Sequence, residues 1–188
     1  MFIHKTSIVE DRKKIGKNVK IWHWTHICKN VEIGEGTTIG QNCYIGPNVK
    51  IGKNVKIQNN VSVYEGVEIK NDVFCGPSMV FTNVINPRSS VNRKNEFRKT
   101  IVEEGCTIGA NATIICGNRL GAHSLIGAGS VVTKSINSFS CVIGNPAKHK
   151  YWISIGGQKL NFGKRKTIKQ NNVSYFFHRG KLIAKYKK

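Results

Sequence analysis

No apolar run in the 188 residues approaches the roughly 18 that a membrane-spanning helix needs, which argues against a spanning segment. The opening Met1-Phe2-Ile3-His4-Lys5-Thr6 lacks an apolar stretch of signal-peptide length, and six scattered cysteines fall short of a secreted disulfide scaffold. A cytoplasmic chain with reduced thiols is therefore expected. No C-x-x-C spacing occurs, so structural zinc is not expected, and no metal is assigned. Acidic residues are missing from the whole second part: all ten lie between Glu10 and Glu104, whereas residues 105–188 hold fourteen bases. Twelve of those bases lie between Lys148 and Lys188, so the net charge of +20 belongs largely to a basic tail. Such a surface attracts polyanions, nucleotides and coenzyme A among them. The tail has no RNP-like or helix-turn-helix pattern, and a nucleic-acid partner is not expected.

What is present is a period of six. Ile15, Ile21, Ile27, Ile33, Ile39, Ile45, Ile51, Ile57, Val63, Ile69, Cys75 and Phe81 follow one another at that step, and the pattern resumes at Val102, Ile108, Ile114, Leu120, Ile126 and Val132. A small or β-branched residue often stands two before each marker, and a glycine often follows it, giving the unit V-x-I-G-x-N. Six suits neither a helix of 3.6 residues per turn nor a simple alternating strand. It suits short strands joined by turns in which Gly or Asn takes positive φ. Residues two apart share a face, so the paired apolar positions point inward, and Cys43, Cys75 and Cys106 fall among them as packing residues. From Phe81 to Val102 the step is 21, so fifteen extra residues leave the regular body as a loop, residues 84–98.

This array resembles the hexapeptide-repeat family, which implies an all-β, left-handed parallel β-helix with three repeats per coil. Residues 18 apart then stack at about 4.7–4.9 Å. Glu65 and Asn83 are 18 apart, in the same phase, at the root of the loop. A carboxylate can hold an ammonium or accept a proton, and an amide can orient a hydroxyl or carbonyl, so the pair suits a bound amine. Residues 84–99 carry five bases and one acid, a grip for phosphate or carboxylate in which arginine favours bidentate contacts.

The stretch from Phe74 to Arg88, with Arg93-Lys94-Asn95-Glu96-Phe97-Arg98-Lys99-Thr100, resembles the sugar-nucleotide 3-N-acetyltransferases. The likeness continues through Ile108–Ile114, Ile126–Lys134 and Gly144–Lys148, and includes the opening Ile21-Trp22-His23-Trp24-Thr25-His26. It covers roughly residues 1–160. The resemblance implies acetyl-CoA as co-substrate, a nucleotide-linked 3-amino sugar as acceptor, and a homotrimer with active sites between subunits. UDP-2-acetamido-3-amino-2,3-dideoxy-glucuronate is the leading acceptor, serving surface polysaccharide synthesis, and a dTDP-3-amino-3,6-dideoxyhexose is the alternative. It implies Asn83 and Glu65 as catalytic residues. Arg88, Arg93 and Arg98 become candidates for the diphosphate and the sugar carboxylate. Ala110, Gly127, Ala128, Lys134, Asn145, Pro146 and Lys148 match the family's coenzyme A positions. Ala110 and Ala128, again 18 apart, would let the thin pantetheine arm lie flat.

The expected organisation is a β-helix domain over 1–148 with its loop at 84–98, followed by a basic extension over 149–188. The alternation from Val173 to Tyr186 predicts a β-hairpin turning about His178 to Lys181, packed on the end of the helix or on a neighbouring subunit. Asn118-Arg119 depart from the family pattern. His23, His26 and His123 are poorly spaced for the three-histidine zinc site of a γ-class carbonic anhydrase. A non-catalytic basic β-helix scaffold stays open as the distant alternative.

Overall fold

In a computed structural model that describes residues 1–186, each marker from Ile21 to Val132 closes a strand of two or three residues. Lys187 and Lys188, the end of the basic extension, lie outside the described residues. The chain passes from Lys20–Ile21 on a first face to His26–Ile27 on a second and Glu32–Ile33 on a third, then returns to the first at Thr38–Ile39. Successive coils pair in parallel at the expected step, Lys20 opposite Thr38 and Thr38 opposite Lys56. The result is a three-faced prism, a left-handed parallel β-helix, whose faces are sheets of ten, seven and five strands.

The turns explain the sequence. Three residues past most markers the chain adopts a left-handed conformation, as at Asn30 (φ 60°), Asn42 (55°) and Asn60 (61°). Asparagine tolerates this φ because its short amide bonds locally. Directly after the marker, coils touch backbone to backbone: a Cβ on Gly109 would lie 2.5 Å from the Ala128 nitrogen. Inside, the markers and the residues two before them form one continuous column from Val19 to Val142. Each buried Ile or Val contributes roughly 1.5–3 kcal/mol relative to exposure. All six cysteines are free and buried.

Two departures interrupt the regular step. Ile69 pairs with Val102 and Cys75 with Ile108, each 33 apart, so the insertion is absorbed entirely at one corner. It contains a bridge between Arg88 and Val91 and a single 3-10 turn, Lys94–Glu96. At the C-terminal end the step shortens to 16, Ile126 pairing with Val142. The strand Lys148–Ile153 then folds back antiparallel on Ser140–Ile143.

The hairpin expected near the C-terminus forms between Val173–His178 and Lys181–Tyr186, with Arg179 and Gly180 both at positive φ. The structure adds a third strand, Thr167–Gln170, that the alternation had not suggested. This small sheet packs on the helix end: Tyr175 stands edge-on to Phe139, ring centres 6.0 Å apart, within a cluster that includes Leu160, Val173 and Leu182.

Candidate active site

The corner between the second and third faces gathers three of the candidate acceptor-side residues. Ser62 pairs with Val80, which carries Glu65 and Asn83 to equivalent places one coil apart, as the spacing predicts. The Asn83 carbonyl accepts the Arg98 amide N–H (2.9 Å), so the excursion leaves and re-enters at a clasp beside Asn83. The Gly66 carbonyl accepts the Thr100 N–H (2.9 Å) and holds the returning chain against the Glu65 turn. Arg98 runs its side chain across Gly117 of the next coil, its Cδ 3.3 Å from where a Cβ would sit. Glu65, Asn83 and Arg98 therefore share one corner.

The other two arginines do not join them. Arg88 is exposed and donates to the Pro87 carbonyl (2.9 Å). Arg93 donates to both carboxylate oxygens of Glu96 (2.8 and 3.0 Å), while its Nε is buried with no hydrogen-bond partner among the described residues. The loop thus neutralises one of its own cations.

Neighbours that the motif reading passed over line the same corner. Asn48 donates to Glu65 Oε1 (2.8 Å), and the Tyr64 ring lies 6.0 Å from that of Tyr44. Asn48 stands 17 residues before Glu65, one short of the 18-residue step, which points to Pro47, so the stacking rule alone does not single it out.

Most of the candidate coenzyme-side residues gather at a different corner, between the first and second faces. The pairing of Ile108 with Ile126 sets Ala128 directly above Ala110. A Cβ on Gly127 would lie 2.9 Å from Ile143 Cγ1, whereas the space around Gly129 is open. The chain at Asn145 and Pro146, joined by a cis peptide bond, crosses the upper edge of the second face, where Val131 N–H donates to the Gly144 carbonyl and Ala147 N–H to that of Val131 (3.0 and 2.8 Å). Lys148 is exposed immediately after this crossing. Lys134 lies apart from this group, beyond the far end of the last second-face strand, where it lines a cavity of about 220 Å³ with Ser140, His149 and Trp152. A cavity of about 700 Å³ between the tail hairpin and the third face contains none of the candidate residues.

The histidines are engaged elsewhere. His26 sits three coils below Val80 on the second face and hydrogen-bonds Glu10 at 2.8 Å. The His4 and His23 rings meet at 3.6 Å, His149 Nδ1 meets Ser140 Oγ at 2.7 Å, and His123 stacks on Phe139 at 5.3 Å. Burial lowers the His123 pKa. Arg119, one of the two departures from the family pattern, pairs with Glu103, and Asn118 donates to the Ile115 carbonyl.

Known proteins agree with this architecture. The model of the bacterial transferase hexapeptide (six repeats) matches residues 12–47, and that of the hexapeptide repeat of succinyl-transferase matches 30–65 and 99–134, the two sides of the loop. A dTDP-3-amino-3,6-dideoxy-alpha-D-galactopyranose 3-N-acetyltransferase from Aneurinibacillus thermoaerophilus is 40% identical over 84 residues, covering 45% of this chain and 44% of that protein. A galactoside O-acetyltransferase from Lactococcus lactis is 35% identical over 83 residues, covering 43% and 40%. The matched segments span less than half of these curated relatives. Among solved structures, a point mutant of AntD, an N-acyltransferase from Bacillus cereus, in complex with dTDP-4-amino-4,6-dideoxyglucose and coenzyme A, superposes with a TM-score of 0.64 at 21% identity, over 79% of this chain and 84% of that one. A point mutant of perosamine N-acetyltransferase from Caulobacter crescentus, in complex with CoA and GDP-perosamine, superposes at 0.59 with 22% identity, over 79% and 55%. At such identities the likeness carries the fold. By its repeat and its coil the chain is a left-handed β-helix of hexapeptide repeats, similar over the matched segments to bacterial hexapeptide-repeat transferases.

Proposed function

We propose that this chain transfers the acetyl group of acetyl-CoA to the amine of a nucleotide-linked amino sugar, in a homotrimer whose sites lie between subunits. The observation that carries the reading is Asn83 stacked over Glu65 at the clasp of a basic loop. The curated relative named as a 3-N-acetyltransferase of a dTDP amino sugar supports it. The separation of the two residue sets supports shared sites: acceptor-side and most coenzyme-side residues occupy different corners of one prism, so a neighbouring copy must bring its first corner to the other's second.

A neutral amine is already a good nucleophile, so the protein's task is to orient two substrates and manage one proton. The amine nitrogen forms the new C–N bond at the thioester carbonyl carbon, the C–S bond breaks, and sulfur leaves as the coenzyme A thiolate. Glu65 holds the incoming amine and Asn83 orients it. The proton shed by nitrogen ends on the departing thiolate. Ala110, Ala128 and the open space beside Gly129 offer the pantetheine arm a flat wall, and Lys148 offers a cation to its phosphates.

The acceptor we favour is UDP-2-acetamido-3-amino-2,3-dideoxy-glucuronate, whose carboxylate gives Arg98, the loop arginine at the Glu65–Asn83 corner, an anion to hold. A dTDP-3-amino-3,6-dideoxyhexose is the second reading, favoured by the named relative. Thiol release from acetyl-CoA with each acceptor tests both: turnover of the uronate alone upholds the first, turnover of the dTDP sugar alone upholds the second, and release with neither overturns the reading. Asn83→Ala and Glu65→Ala are each expected to lower kcat by about 10²–10³-fold with the fold intact by circular dichroism. Unaltered rates in both would remove the site assignment.

A further inference from the structure

Well below the acceptor corner, three side chains of different ligand chemistry converge without a part in the proposed reaction. Glu10, His26 and Cys28 place a carboxylate oxygen, an imidazole nitrogen and a thiol sulfur within 4.8 Å of one another. The coil step brings them together. Glu10 and Cys28 are 18 residues apart and occupy the same corner position in the first and second coils, joined by the Glu10 N–H to Ile27 carbonyl bond (3.0 Å). His26 precedes Cys28 by two, its outward ring reaching Glu10 Oε1 at 2.8 Å. The second carboxylate oxygen of Glu10 accepts the Lys29 N–H (3.0 Å), which fixes the carboxylate from behind. One coil higher, the Tyr44 hydroxyl lies 3.5 Å from Cys28 Sγ and covers the cluster.

We propose that Glu10, His26 and Cys28 form a site for a divalent borderline-soft metal ion, zinc first, that clamps the first coil to the second. Thiolate, imidazole and carboxylate are the three ligand types zinc takes, at about 2.0–2.3 Å, which requires donor atoms about 3.3–3.8 Å apart. The present separations reach that range with side-chain movements of about 1 Å, on strands already fixed by the coil hydrogen bonds. Three protein ligands leave one position for water or for the Tyr44 oxygen. The clamp falls where the fold needs one: among the described residues the first coil contributes strands to the first and second faces, Phe2–Ile3 and Ile8–Val9, but only the single bridge from Ile15 to Ile33 on the third. This differs from the sequence expectation of no metal, because ligands spread over residues 10–28 and two coils make no recognisable spacing motif until the step of 18 is applied to a carboxylate.

The test is a cobalt(II) titration of the full-length, chelator-stripped protein, followed by displacement with zinc. One cobalt per chain is expected, with a thiolate-to-cobalt charge-transfer band that zinc removes, and zinc is expected to raise Tm. Cys28→Ser should abolish the band, and Glu10→Gln and His26→Gln should each weaken cobalt binding by at least about tenfold. Cys116→Ser, a buried cysteine outside the cluster, should leave the band unchanged. Absence of one-to-one binding by the wild type, or a band that survives Cys28→Ser, overturns the proposal. Should Cys28→Ser fail to fold, unchanged affinity in Glu10→Gln, a substitution of an exposed side chain, overturns it equally.

Discussion

The second and third faces share one backbone geometry and one inward column, yet their outward rows differ completely. On the third face, Lys14, Glu32, Lys50, Glu68, Ile101 and Arg119 stack from coil to coil. Opposite charges meet along it: Lys14 and Lys50 flank Glu32 (2.7 and 4.0 Å), and Lys70 and Lys99 flank Glu68. On the second face the row runs Ile8, His26, Tyr44, Ser62, Val80, Thr113, Val131, with no lysine, arginine or carboxylate. Val80 is 45% exposed at its centre. A parallel ladder leaves the choice of outward residue free, so what each row carries reports what each face meets. The charged ladder suits water, and the uncharged row suits protein.

The sharpest way to break this contrast is to charge the centre of the second face. On the proposed homotrimer with sites between subunits, Val80→Arg is expected to abolish self-association by sedimentation, and turnover with it. Lys50→Ala, on the third face, should leave both unchanged. Should Val80→Arg retain assembly, the uncharged row is not the subunit contact.

A middle-sized effect tests the stacking on which both rows depend. Gly109→Ala drives a Cβ to 2.5 Å from the backbone of the next coil, so it should destabilise by about 1–3 kcal/mol in urea unfolding as coils are pushed out of register. Gly129→Ala meets open space but sits at φ 67°, so only the left-handed penalty, about 1–2 kcal/mol, applies. A Gly109→Ala loss smaller than that of Gly129→Ala would mean that the coils yield where contact looks tightest.

The prism was legible because a period of six, kept up from Ile15 to Phe81 and again from Val102 to Val132, sets strand, turn and core together. The pairing of Glu65 with Asn83 followed from the same arithmetic. Other features had no local signal. The strand Thr167–Gln170 is built of residues with little apolar alternation and exists because Val173–His178 offers it an edge. Arg93 reads as a free cation until the 3-10 turn swings Glu96 onto it. Glu10 reads as a solvated acid until the coil places it under Cys28. In each case the missing information is a contact made by a turn or a coil, which residue types alone do not carry.

The smallest expected effect probes what the charged ladder contributes. Hydrogen bonds from Lys70 and then Lys99 hold the Glu68 carboxyl down to about 2, against an ordinary 4.5. The folded state therefore favours the ionised form: the contribution is complete above pH 4.5 and is lost as pH falls from there toward 2. Solvent screens these pairs, so at neutral pH Glu68→Gln should cost less than about 1 kcal/mol. Its distinctive signature is in the acid limb, where the wild type loses stability between pH 4.5 and 2 and the variant loses less. Thr113→Val, an uncharged exchange on the second face, should keep the wild-type slope. A Glu68→Gln acid limb parallel to the wild type would show that the ladder's regular pairing adds nothing to folding, leaving solubility and the exclusion of a partner as what distinguishes the third face from the second.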